Sequence, residues 1–108
     1  MAELRRGDIR NFTFKAPDKR RPVLILTRDG IIDSLNSIVV ASLTTTIRDI
    51  ETEVLLLPLD GVERDCVVNL DNINSVDKSK IGSLIARLSR EKMLEVDRAI
   101  VFALGMSI

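Results

Sequence analysis

Histidine is absent from this sequence and cysteine occurs once, at Cys66. The commonest general acid/base and the commonest metal ligand are therefore missing, and neither an internal disulfide nor a Cys-rich zinc site can be built. The side chains left to do chemistry are arginines, hydroxyls and carboxylates, and three places gather them. Lys15 precedes Lys19-Arg20-Arg21 in a basic stretch ending at Pro22, Thr44-Thr45-Thr46 follows an apolar run, and Asp71 stands beside Asn72. Arginine presents a planar guanidinium that binds phosphate oxygens in pairs, yet it stays protonated and is a poor proton acceptor. A threonine hydroxyl can donate one hydrogen bond to an oxyanion or orient a second hydroxyl, and a carboxylate can take a proton. Plainer roles fit the same residues. A loop arginine is an ordinary solvated charge, β-branched threonines end strands, and Asp-Asn favours turns.

The elements that must position these groups are mostly strands. Ile9 to Phe14 alternates, with Ile9, Phe12 and Phe14 among polar residues. Asp18-Lys19-Arg20-Arg21-Pro22 reads as a charged loop closed by proline, and Val23-Leu24-Ile25-Leu26 as a short buried strand ended by the turn pair Asp29-Gly30. Ile38 to Leu43 is a continuous apolar strand; Glu53 to Leu57 is another, broken by Pro58 and turned at Asp60-Gly61. Cys66 to Leu70 follows, leading to Ile73 and Val76, with Cys66 read as a small core residue. Arg6-Gly7-Asp8 reads as the start of the first strand. Five short strands with turn signals between them predict a small curled sheet or barrel. In the last third, Ile81, Leu84, Ile85 and Leu88 fit helical spacing, weakened by Gly82, so a short helix followed by a strand is one reading. Ser89 then suits the N-cap of a terminal helix, with Leu88 and Met93 as a hydrophobic staple. Met93, Val96, Ile100 and Ala103 mark its apolar face, and Gly105 suits its stop. Every residue from Ala99 to Leu104 is apolar, which predicts burial on two sides, by the sheet or by a second subunit.

The chain has 108 residues, the size of one domain spanning 1–108, with no internal repeat or linker. At 45% hydrophobic and 30% charged residues it is no disordered chain, and with only 3% aromatics its core must be aliphatic. Sixteen basic residues balance sixteen acidic ones, so binding to nucleic acid would need a local basic patch. No apolar run reaches a membrane span, the charged N-terminus is no signal peptide, and the lone cysteine suits a reducing cytoplasm.

Three blocks carry a family resemblance. Arg6-Gly7-Asp8-Ile9 opens the chain. Lys19 to Leu26 is followed by Ile38-Val39-Val40-Ala41-Ser42-Leu43-Thr44-Thr45, and Arg64-Asp65-Cys66-Val67-Val68-Asn69-Leu70-Asp71 runs into Ser75-Val76-Asp77-Lys78. In that order and spacing they resemble the MazF/PemK toxins of type II toxin–antitoxin systems, over essentially the whole chain. The resemblance implies a mainly β fold with a C-terminal helix, a small SH3-like barrel of the CcdB/PemK type. It implies a homodimer, a cognate MazE-like antitoxin, and metal- and cofactor-independent cleavage of single-stranded RNA of the mRNA interferase kind. The family's arginine before the Pro-Val strand falls on Arg21 and its threonine after the Val-Ala strand on Thr44. An acidic residue used by some members falls on Asp71, although those members carry an arginine where this chain has Asn69. Lys15, Lys19, Arg20 and Thr45 are the candidate RNA-groove residues. The rival reading on the same barrel is a CcdB-like gyrase poison. Those engage their target with a tryptophan-containing tail, and this chain has no tryptophan.

Overall fold

A computed structural model describes residues 3–14 and 19–107. Among the described residues there are six strands and one α-helix, besides three short 3-10 turns: β1 (Asp8–Phe14), β2 (Lys19–Ile25), β3 (Ser37–Thr44), β4 (Glu53–Leu56), β5 (Cys66–Asp77), β6 (Ile81–Arg87) and α1 (Arg90–Ala103). The strands form one antiparallel sheet in the order β4-β5-β3-β2-β1-β6. The sheet curls but does not close, so the expected barrel is corrected to an open sheet with β4 and β6 at its edges. Both edges still reach one core: Val54 and Leu56 of β4 share a cluster with Ile9, Leu24, Leu43, Val68 and Val96, and Ile85 and Ala86 of β6 pack against it. The segment after β4 fills the gap. Gly61 lies so near β6 that a Cβ there would sit 2.7 Å from the Ala86 Cβ, and its φ of +102° also requires glycine.

The middle strands are covered on both faces, which explains their continuous apolar runs. Leu24, Ala41 and Leu43 face the first cluster, whereas Val23, Ile25, Ile38 and Val40 join Phe12, Ile32 and Val76 in a second. Lys19 to Pro22, expected as loop, belongs to β2 and pairs with β1, Arg21 opposite Phe12 and Pro22 opposite Asn11. Cys66 to Asp77 is a single strand of twelve residues. Ile81 to Leu88 holds no helix: residues 81–87 are β6, paired to β1 with two register shifts. Those shifts break the strand's two-residue alternation, so its apolar spacing mimics a helical one.

The terminal helix is capped as its sequence indicates. Ser89 Oγ accepts the Lys92 amide at 3.1 Å. At the other end the Gly105 amide donates to the Phe102 carbonyl and the Met106 amide to the Val101 carbonyl, the paired bonds of a Schellman stop. Met93, Val96, Ala99, Ile100 and Ala103 face the first cluster. The expected burial on two sides is not met within one chain: Leu94, Phe102 and Leu104 are 46%, 55% and 60% exposed. Among the described residues no helix is long and apolar enough to cross a membrane.

Arg6-Gly7-Asp8 begins β1 and fastens it. The Gly7 amide donates to the Ile25 carbonyl, and the Leu88 amide donates to the Gly7 carbonyl. Arg6 donates to the Leu26 carbonyl at 2.8 Å and to Asp97 of the helix at 2.7 Å. Asp8 is buried between two arginines, its Oδ1 accepting from Arg87 Nε at 3.2 Å and its Oδ2 lying 3.5 Å from Arg10.

Candidate active site

A cavity of about 340 Å³ opens where the inward face of the sheet changes from apolar to polar. Following that face outward, Ile9 gives way to Asn11 in β1, Leu24 to Pro22 in β2, and Leu43 to Thr45 just beyond β3. The floor is aliphatic, from Leu43, Val62, Ile85 and the Cys66 side chain. Asn11, Thr44, Thr45, Glu63 and Arg64 give it a polar lining as well. Burial pushes the Cys66 thiol up, with Asp65 and Asp60 adding to the effect. A thiol held protonated is a wall of this cavity rather than a nucleophile.

Thr44 closes β3, half-buried, opposite Val67 of β5. Its Oγ1 accepts the Thr46 amide at 3.1 Å, which leaves the hydroxyl proton free to donate. Arg21 is exposed on β2. The β2–β3 ladder ends at Val23 and Ser42, and Arg21 and Thr44 each lie two residues beyond that end on their own strands. Both residues have the parity of Val23 and Ser42, so they belong to one sheet face. That is the face of Phe12 and Val23, opposite the one on which Asn11 and Pro22 line the cavity; Thr44 also lines the cavity and Arg21 does not.

Asp71 lies elsewhere. It sits in β5 where the pairing jumps from Ala41–Ile73 to Ser42–Asn69, leaving residues 70–72 unpaired with β3. Its Oδ2 accepts the Thr52 hydroxyl at 2.6 Å, its amide donates to Asn69 Oδ1 at 3.0 Å, and it does not line the cavity. Arg20 is exposed opposite Thr13, and Lys19 starts β2 opposite Phe14. Lys15 lies outside the described residues. Asn11, Glu63 and Arg64 were not singled out from sequence; the available signal was Asn11 itself, a polar residue in register with buried Ile9. Among the described residues no three Asp, Glu or Cys side chains are grouped to hold a metal ion.

Known proteins resemble the chain over its whole length. Residues 5–104 match the family described as PemK-like, MazF-like toxin of type II toxin-antitoxin system. A probable endoribonuclease MazF2 of Mycobacterium tuberculosis is 38% identical over 93 residues, covering 85% of this chain and 89% of that protein. The solved M. tuberculosis toxin MazF-mt6 superposes with a TM-score of 0.86 at 31% identity, covering 94% of this chain and 99% of that one. A mycobacterial endoribonuclease solved in complex with its cognate antitoxin superposes at 0.84 with 28% identity, covering 99% of each chain.

Proposed function

Because the chain belongs to the PemK-like, MazF-like toxins of type II toxin–antitoxin systems, we propose that it is an endoribonuclease cutting single-stranded RNA at the mouth of this cavity. The observation that carries the reading is Thr44 in the cavity lining, its oxygen accepting the Thr46 amide and its hydroxyl proton free to donate. The RNA supplies its own nucleophile: the 2′-oxygen attacks phosphorus, the bond to the 5′-oxygen breaks, and a 2′,3′-cyclic phosphate and a 5′-hydroxyl result. The protein then has to fix that geometry and stabilise charge growing on the phosphoryl oxygens. Arg21 binds two of those oxygens at once, and Thr44 donates to one of them or orients the 2′-hydroxyl. Arg20, exposed on the same strand as Arg21, adds positive charge for the flanking backbone. No metal is required by this route, and the absence of histidine supports it. Incubating the purified protein with a long single-stranded RNA in EDTA tests the reading. Cyclic-phosphate ends in chelator support it; cutting that returns only with a divalent cation overturns the route.

Replacing Arg21 with lysine keeps the charge and removes the two-pronged geometry. Turnover is expected to fall by about 1.5–3 kcal/mol, roughly 10–150-fold, with RNA affinity changed far less, as rapid-quench and filter-binding assays would show. Asp71→Asn tests the remaining proton acceptor. With Oδ2 already bonded to Thr52 outside the cavity, cleavage is expected within about twofold of wild type, which assigns the 2′-proton to water. A loss beyond about a hundredfold, on the scale of general-base catalysis, would make Asp71 the base.

The assembly follows from the uncovered helix face. Leu94, Phe102, Leu104 and Met106 are exposed, and a second copy of the chain covers them in a homodimer whose RNA groove runs beside the two-fold axis. A cognate antitoxin, like that of the mycobacterial relative, would hold the toxin inactive. Sedimentation at micromolar concentration checks the dimer, and a monomer there counts against it.

A further inference from the structure

We infer that Asn11, aimed into the cavity by Ser83, reads the base beside the cleaved phosphate and sets the sequence preference of cleavage. The inference rests on the endoribonuclease reading. Three observations carry it. The first is an irregular ladder at this point: Arg10 pairs with Leu84 and Phe12 with Ile81, so β6 presents Gly82 and Ser83 against the single residue Asn11. A bulge of this kind re-aims a side chain, and bulges gather at active sites. Gly82 makes the close approach possible, since a Cβ there would lie 3.0 Å from the Asn11 carbonyl oxygen.

The second observation is the amide's fixed orientation. Asn11 Nδ2 donates to Ser83 Oγ at 2.9 Å, which fixes the amide and leaves Oδ1 free to accept. The third is the place of that acceptor. Asn11 and Thr44 line the same cavity as the aliphatic Leu43, Val62 and Ile85, so a base unstacked from the strand would lie on those three with an edge against Oδ1. An acceptor selects a donor. The acceptor takes an exocyclic amino proton of cytosine or adenine; uracil offers only N3–H, flanked by two carbonyl oxygens that repel Oδ1, and is disfavoured.

The test uses the full-length protein and a randomised single-stranded RNA pool, with the cut ends sequenced. Wild type is expected to disfavour uracil at one position flanking the cut by roughly tenfold, the scale of one neutral hydrogen bond. Asn11→Ala should lose that discrimination while still cutting, and Ser83→Ala should weaken it by freeing the amide to rotate. Asn11→Asp keeps an oxygen acceptor and should keep the preference. The inference fails if wild type shows no such bias, if Asn11→Ala leaves the profile unchanged, or if it slows all sequences alike. A wild-type protein that cuts no RNA overturns the endoribonuclease reading and this inference together. A cutting wild type whose profile survives Asn11→Ala overturns the inference alone.

Discussion

Thr44→Ala is expected to slow RNA cleavage roughly 10²–10³-fold, or about 3–4 kcal/mol, the loss typical of one positioned donor to a developing oxyanion. The hydroxyl is prepared for that task, since its oxygen already accepts the Thr46 amide and its proton can point to the phosphate. Alanine removes the donor and leaves the fold, because Thr46 is exposed and its amide can turn to water. Single-turnover kinetics with saturating enzyme should therefore fall while RNA affinity and dimer size stay near wild type. Wild-type rates would show that the reacting phosphate does not lie at Thr44.

The second large effect concerns stability. Asp8→Ala should cost about 3–5 kcal/mol, the usual result of stripping the partner from a buried charge. Arg10 is only 5% exposed, and Asp8 is its only acidic partner among the described residues. The same carboxylate receives Arg87 and the Arg5 amide, so one truncation loosens the start of β1 and the end of β6 together. Against a total near 5–15 kcal/mol for a domain, that places the variant close to unfolding at 37 °C. Urea denaturation gives the value; an unchanged midpoint would mean that water serves Arg10 as well as Asp8 does.

Some of this molecule was plain in its sequence, for physical reasons that differ by element. The continuous runs at Val23–Ile25 and Ile38–Leu43 could only be strands covered on both faces, and the two clusters on either side of them bear that out. Ser89, Met93 and Gly105 marked the helix because capping and stapling are local. The open sheet edge was not legible, since closure depends on how β4 and β6 meet rather than on any one strand. Nor was β6, whose bulges against β1 scramble the alternation that identifies strands. Arg21 and Thr44 were placed by family resemblance, on neighbouring strands whose ladder ends two residues short of both. Asn11 escaped notice because its meaning comes from Ser83, 72 residues away.

That separation also governs when the molecule becomes competent. The first four strands and β5 can pair as the chain grows, but the cavity lacks a wall until Ile85 arrives, and Asn11 has no Ser83 to orient it. Closing so long a loop is the slow, entropically opposed part of folding in sheets with distant pairings. The Arg6–Asp97 contact, spanning 91 residues, comes later still and locks the helix over the finished core. A chain ending before β6 therefore lacks Ser83, Ile85 and the helix, and with them one wall of the cavity and the partner that orients Asn11.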